Sequence, residues 1–132
     1  PRLLTTLLTK GYVPIVACIG STREGQLLNV NADTLAAHLA SALGATRLVI
    51  AGGTPGVRDE QGTTIGRLTS RGAAAMIRVG TANKRMVAKL EACRAALRTG
   101  VGDVWIANGR NVPFGALRAA SPPLSGCTQV VR

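Results

Sequence analysis

The stretch Asn29-Val30-Asn31-Ala32-Asp33-Thr34 places two amides, a carboxylate and a hydroxyl at the point where a loop gives way to a helix. Asn31 or Asp33 can cap that helix, because either side chain can accept a hydrogen bond from the free N–H groups of the first turn. The apolar residues that follow recur at helical spacing and end at Gly44: Leu35, Leu39, Ala42 and Leu43. A helix start can also bind an anion, so this stretch is the first candidate for a functional site.

Length and composition predict one domain, residues 1–132, with an aliphatic core. The chain has 132 residues, of which 46% are hydrophobic, but only three are aromatic: Tyr12, Trp105 and Phe114. No apolar run reaches the roughly 18 residues that a membrane span needs, so no membrane association is expected.

The net charge of +10 is compatible with either a nucleic-acid partner or an anionic substrate such as a nucleotide. The basic residues are mostly isolated arginines, and Lys84-Arg85 with Lys89 is the only compact group. No aromatic residues are interleaved with them, as they are in single-strand binders, so nucleic-acid binding is not favoured.

The cysteines give no sign of a metal site or a disulfide framework. Cys18, Cys93 and Cys127 lie far apart, and His38 is the only histidine. We therefore expect no metal ligands, buried thiols and a reducing, cytoplasmic location.

Hydrophobic periodicity predicts an alternation of strands and helices. Strands are expected at residues 12–19, 47–51, 103–107 and 128–131, with Leu27-Leu28 as a short extended piece. Helices are expected at residues 3–8, from Asn31 to Gly44, and at residues 70–79, 86–99 and 114–119, the last followed by a break at Pro122-Pro123. Residues 57–65 form a predicted hairpin with its turn at Asp59-Glu60-Gln61-Gly62. This order indicates an α/β domain with a mainly parallel open sheet.

A parallel sheet binds ligands beyond the carboxyl ends of its strands. Here those ends are Gly20, the loop Gly52-Gly53-Thr54-Pro55-Gly56, and Asn108-Gly109-Arg110. The glycine-rich loop could let backbone amides approach a phosphate, or it could be only a tight turn.

Two charged residues also have two interpretations each. We expect Lys89 in the first turn of its helix, where a bound anion would offset a cation close to the positive helix end, although it could be a solvated surface lysine. Asp33 could be a helix cap only, or it could hold nearby lysines in place.

Several motifs together resemble the C-terminal half of the N-acetylglutamate kinases, a branch of the amino acid kinase family. The resemblance covers nearly the whole chain and rests on motifs in the family's order: Gly11-Tyr12-Val13-Pro14-Ile15-Val16 followed by Ile19-Gly20, Asn29-Val30-Asn31-Ala32-Asp33-Thr34, Pro55-Gly56-Val57 with Asp59, and Met86-Val87-Ala88-Lys89-Leu90-Glu91-Ala92-Cys93. The asparagine-rich motif is similar to the acetylglutamate branch rather than to the aspartate, uridylate, carbamate or glutamate 5-kinases.

The resemblance implies a three-layer α/β/α, carbamate kinase-like fold, of which this chain is the nucleotide-binding half. It implies transfer of the γ-phosphoryl group of ATP to the γ-carboxylate of N-acetyl-L-glutamate in arginine biosynthesis, with Mg²⁺ bridging the phosphates. Lys89 would neutralise charge on the transferring group, Asp33 would orient the catalytic lysines, and Asn29 and Asn31 would hold acetylglutamate. The residues implied at the nucleotide site are Gly52, Gly53, Thr54, Gly56, Met86 and Lys89.

Departures from the family pattern bear on nucleotide affinity. Gly53 stands where the family usually has an acidic residue, Arg85 where it has a glycine, and Cys127 where a glycine is common. The family's N-terminal half, with its phosphate-binding lysine, is expected as a missing partner, in a protein that the resemblance implies to be a homo-oligomer. We therefore expect the chain alone to be inactive. The alternatives are an N-acetyl-aminoadipate kinase of lysine biosynthesis and a non-catalytic nucleotide-binding module.

Overall fold

The computed structural model describes residues 1–112, 115 and 125–132. The described helices are α1 (Arg2–Thr9), α2 (Ala32–Ala42), α3 (Ser70–Val79) and α4 (Lys84–Arg98). The described strands are β1 (Ile19–Ser21), β2 (Leu27–Asn29), β3 (Arg47–Gly52), β4 (Arg67–Thr69), β5 (Asp103–Asn108) and β6 (Cys127–Val131).

Four of the described strands form the main sheet, in the order β3-β5-β6-β4. β3 pairs with β5 in parallel, from Arg47 opposite Asp103 to Gly52 opposite Asn108. β4 pairs with β6 in parallel, and β5 and β6 are antiparallel. The predicted α/β class with a mainly parallel sheet is therefore confirmed.

The core lies between one face of this sheet and helices α2, α3 and α4. Alternate residues of β5 divide between the two faces, as strand geometry requires. Val104 and Ile106 join the helix-side cluster, while Trp105 and Ala107 pack with Cys127 on the opposite face, and all five are fully buried. The predicted aliphatic core is correct on the helix side.

The helices begin and end where local chemistry dictates. The Thr69 hydroxyl accepts a hydrogen bond from the N–H of Gly72 at the start of α3, which ends at Gly80 with φ of +80°. The predicted bounds of this helix are correct. The predicted 57–65 hairpin is also present: Arg58 and Thr64 form an antiparallel bridge, and the N–H of Ile65 donates to the carbonyl of Val57.

The strand predicted at residues 12–19 is wrong. Only Ile19 of that run is in a strand, within the small antiparallel β1–β2 sheet that confirms the extended piece at Leu27-Leu28. Residues 12–18 have apolar side chains, but no described strand pairs with them, and Val13 and Ile15 are 86% and 97% exposed. An apolar run becomes a buried strand only where a neighbouring strand satisfies its backbone groups.

Two further elements differ from the sequence prediction. Strand β4 was not predicted, because three residues with one apolar side chain, Leu68, leave no measurable alternation. α4 begins two residues earlier than expected, at Lys84, because the Asn83 side chain accepts from the N–H of Met86 and caps it there. The helix predicted at residues 114–119 and the Pro122-Pro123 break lie outside the described residues.

Candidate active site

An ion pair between two helices marks the candidate site. Lys89 Nζ of α4 lies 3.0 Å from Oδ1 and 3.1 Å from Oδ2 of Asp33 on α2. Each side chain is only 18% exposed, so water screens the pair incompletely. The structure thus brings together the two residues predicted to be catalytic.

Asn31, rather than Asp33, caps α2. The Asn31 side-chain oxygen accepts hydrogen bonds from the N–H of Thr34 at 3.0 Å and from its hydroxyl at 3.2 Å. Asn31 is therefore the cap, and Asp33 is free to face α4. Either residue could have capped the helix from sequence alone; in the structure Asn31 caps α2 and Asp33 pairs with Lys89.

The sequence predicted that Lys89 lies in the first turn of its helix, and this prediction is wrong. The cap at Asn83 moves the helix start toward the N-terminus and puts Lys89 in the second turn. Lys84 and Arg85 occupy the first turn, which contains no acidic residue. The charge of Lys89 is therefore balanced by Asp33, and the argument from the helix dipole does not apply to it.

Gly52, the last residue of β3, brings the sheet edge against this lysine. A Cβ added at Gly52 would lie 3.2 Å from Lys89 Cε and 3.8 Å from Nζ. The neighbouring strand ends at the same edge, where the N–H of Gly109 donates to the carbonyl of Gly52 at 2.9 Å. The ion pair therefore sits at the carboxyl ends of two parallel strands, which is where such sheets bind ligands.

A cavity of about 240 Å³ lies beside the glycine-rich loop. Its lining includes three residues predicted to bind nucleotide, Thr54, Gly56 and Met86, together with Asn83 and the start of the 57–65 hairpin. Gly53 is not part of this lining, and a Cβ added there would meet nothing within 4 Å. Of the residues predicted to bind nucleotide, Thr54, Gly56 and Met86 therefore line the cavity. Gly53 lies in open space, and Gly52 and Lys89 contact each other.

Thr128 of β6 anchors the hairpin that borders this cavity. Its buried hydroxyl accepts from the N–H of Val57 and donates to the carbonyl of Ile65, both at 2.7 Å. Gly56 has φ of +58°, and a Cβ there would collide with the Thr128 hydroxyl and lie 2.9 Å from its backbone nitrogen. Gly56 therefore has a structural reason to be glycine, in addition to its place in the lining.

Asn29 and Asn31 lie on the chain just before Asp33. Asn29 ends β2, opposite Ile19, and both asparagines are exposed. Within the described part of the chain, no hydrogen bond joins either amide to Lys89. The side-chain oxygen of Asn31 is engaged in the cap, so that residue offers a ligand mainly its NH₂ group.

Cys93 lies one helical turn beyond Lys89, and the charges of the ion pair affect its thiol. The pKa of its thiol is raised to about 12, first by burial and then by the negative charge of Asp33, while the positive charge of Lys89 acts to lower it. The thiol is therefore protonated at neutral pH and is not a nucleophile. This agrees with the expectation of a buried, unreactive cysteine at this position.

Sequence reasoning missed two residues that shape the site. Thr128 was assigned only to a strand, and its bridging role depends on contacts with residues distant in sequence. Asn83 could have been found, since an asparagine three residues before Met86 is a capping signal.

The described residues contain neither a metal-binding cluster nor a helix that could span a membrane. Among the residues that the structure describes, no group of three His, Cys, Asp or Glu side chains could hold a metal ion. None of the helices within that part of the chain has the length and apolarity needed to cross a bilayer.

The sequence matches known proteins over most of its length. The model of the amino acid kinase family matches residues 1–108. The chain is 37% identical to acetylglutamate kinase of Desulforamulus reducens, over 89% of this chain and 42% of that protein. It is 41% identical to acetylglutamate kinase of Sinorhizobium fredii, over 82% of this chain and 37% of that protein. The chain therefore spans about two fifths of the length of these relatives.

Solved structures share the fold. The crystal structure of smu.665 from Streptococcus mutans UA159 superimposes with a TM-score of 0.80 at 28% identity, covering 98% of this chain and 47% of that one. N-acetylglutamate synthase from Neisseria gonorrhoeae, solved with coenzyme A and L-arginine, superimposes with a TM-score of 0.84 at 24% identity, over 98% of this chain and 30% of that one. The family match over residues 1–108 shows that the chain belongs to the amino acid kinase family.

Proposed function

We propose that the chain is the C-terminal, nucleotide-binding half of an N-acetylglutamate kinase. The complete enzyme would transfer the γ-phosphoryl group of ATP to the γ-carboxylate of N-acetyl-L-glutamate, a step of arginine biosynthesis in the cytoplasm. The observation that carries this proposal is the Lys89–Asp33 ion pair, held against Gly52 at the carboxyl ends of β3 and β5. The names of the relatives support the choice of substrate.

The ion pair suits phosphoryl transfer, in which catalysis is mostly positioning and electrostatic stabilisation. Lys89 would stabilise charge on the oxygens of the transferring group. Asp33 contacts the ammonium through both of its oxygens and so restricts where Lys89 can reach. Asp33 is a positioning residue in this scheme, because it acts through Lys89.

The cavity beside Thr54, Gly56 and Met86 is the proposed nucleotide site. Mg²⁺, when bound, would neutralise charge on the phosphates. Asn29 and the NH₂ group of Asn31 would contact acetylglutamate.

The rest of the enzyme would cover an exposed apolar surface at the start of the chain. Nine of the ten exposed large hydrophobic residues among those described lie between Leu3 and Leu28; the exception is Val79. Exposed apolar residues concentrated in one stretch of the chain favour an interaction site there. Since the relatives are more than twice as long as the matched segment, we propose that the remaining part of the kinase packs on this surface.

A chimera tests the function directly. The segment of the Sinorhizobium fredii acetylglutamate kinase that matches this chain would be replaced by the corresponding residues of this chain, and ATP-dependent phosphorylation of N-acetyl-L-glutamate would be measured. We expect turnover, and we expect Lys89→Met to lower kcat by about 10²–10³-fold. The matched control is Arg71→Met, which removes one positive charge from an exposed position on α3 and should leave kcat unchanged.

Other outcomes would separate the alternatives. A folded chimera that binds ATP without turnover, with Lys89→Met lowering only affinity, would indicate a nucleotide-binding module. Preference for N-acetyl-aminoadipate when both acids are supplied would indicate the lysine-pathway kinase. Turnover by the 132-residue chain alone would refute the idea that it is half of an active site.

A further inference from the structure

A groove between α2 and α4 lies outside the proposed active site. It has a volume of about 380 Å³ and is lined by one face of each helix, including Thr34, His38 and Ser41 on α2. Alanines at positions 37, 92 and 95 line it as well, and their small side chains leave room between the helices.

The groove is predominantly basic. Arg94 and Arg98 of α4 line it one helical turn apart, and His38 lines it from α2. Among the described residues that line it, Glu91 is the only acidic one. Neither arginine makes an ion pair or a hydrogen bond with any residue that the structure describes, so both charges are available to a ligand.

Arg94 provides the second observation. Its Nε is buried and has no hydrogen-bond partner in the described structure. A buried N–H without an acceptor is costly, and guanidinium groups bind carboxylates and phosphates with particular geometric fit. Because no described residue supplies an acceptor, the Arg94 guanidinium is available to pair with an anion in the groove.

We propose that this groove binds a small organic oxyanion carrying at least two carboxylate or phosphate groups. One group would accept from Arg94 and another from Arg98, whose spacing along one helix face places both guanidinium groups on the groove. The Ser41 hydroxyl across the groove offers one further donor. The site is independent of the kinase chemistry proposed for Lys89 and Asp33.

Calorimetric titration of the 132-residue chain, with citrate as the polycarboxylate probe and pyrophosphate as the phosphate probe, tests this proposal. We expect saturable binding of at least one probe in 150 mM salt, and the stronger binder identifies the preferred group. Arg94→Gln and Arg98→Gln should each weaken binding by about tenfold or more. Arg71→Gln removes the same charge from exposed α3 and should leave affinity unchanged.

Two more variants remove the remaining ambiguities. Ala95→Leu fills the groove without changing charge and should abolish binding, and it decides the matter if Arg94→Gln does not fold. Lys89→Gln should leave binding unchanged, which separates this site from the proposed phosphate site. Absence of saturable binding, equal losses in the Arg94 and Arg71 variants, or full affinity in Ala95→Leu would each overturn the proposal.

Discussion

Lys89 Nζ contacts both carboxylate oxygens of Asp33, at 3.0 and 3.1 Å, across 56 residues of sequence. Each residue lies on a helix with its own asparagine cap, Asn31 for α2 and Asn83 for α4. The caps fix where each helix begins, and the packing of the two helices then brings the charges together. The pair thus combines local helix chemistry with long-range packing.

We expect Asp33→Asn to lower the free energy of unfolding by about 1.5–3 kcal/mol, because it leaves a mostly buried ammonium without its charged partner. Urea denaturation measures the change. Glu91→Gln is the control, since it also removes one negative charge, but from an exposed position on α4. The double variant Asp33→Asn/Lys89→Met should be less destabilised than the sum of the two single variants. Equal unfolding midpoints for Asp33→Asn and Glu91→Gln would contradict the importance of the pair.

Gly52→Ala should lower kcat of the active chimera by about tenfold while leaving it folded, because small displacements of a positioned group are costly in catalysis. The added methyl group would lie 3.2 Å from Lys89 Cε, so the lysine must move. Gly102→Ala is the control: its Cβ would meet only the Thr46 carbonyl oxygen, at 4.0 Å. Steady-state kinetics with saturating ATP distinguishes the two. Unchanged kcat in Gly52→Ala would show that the close approach has no role in catalysis.

Thr128→Val should destabilise the chain by about 1–3 kcal/mol, although the two side chains have nearly the same shape. The change removes the acceptor for the N–H of Val57 and the donor to the carbonyl of Ile65. Thr63→Val, an identical change at an exposed hairpin position, should be nearly neutral. In the chimera we also expect a higher KM for ATP with Thr128→Val, since the hairpin borders the proposed nucleotide cavity. If the two variants unfold at the same urea concentration, the bridge does not anchor the hairpin.

Cys93 should make stability fall in alkaline solution. Burial, the first cause, raises the pKa of its thiol from 9.0 to about 12, so the unfolded chain releases this proton at lower pH than the folded chain does. The stabilisation is complete below pH 9 and is lost as the pH rises toward about 12, by at most about 1.4 kcal/mol per pH unit.

Urea titrations between pH 8 and pH 11 should therefore show a steeper decline for the natural chain than for Cys93→Ala. The variant has its own cavity cost, so the slopes rather than the absolute values are compared. Parallel curves would mean that the thiol titrates normally in the folded chain.

The sequence predicted the elements whose signal is local. β3 and β5 were found because each is a run of apolar residues, and α3 because its amphipathic pattern ends at Gly80. The run at residues 12–19 is apolar, as most of β3 is, but only Ile19 of it lies in a strand. Its outcome depends on a pairing neighbour, which composition does not reveal.

The site was predicted in part for the same reason. A family motif was enough to select Asp33 and Lys89, and their contact is present in the structure. The hydrogen bonds of Thr128 to the hairpin and the close approach of Gly52 to Lys89 could not be predicted, because each joins elements far apart in sequence. The helix cap at Asn83 was within reach of sequence reasoning and would have placed Lys89 in the correct turn.

The position of β6 has a consequence for the order of assembly. β6 lies between β5 and β4, so β4 can join the sheet only after the last of the described strands has been synthesised. On the ribosome, β3, α4 and β5 can associate while β4, α3 and the hairpin still lack the strand that holds them. We therefore expect the nucleotide-side cavity to form late, at a rate limited by this long-range pairing rather than by helix formation.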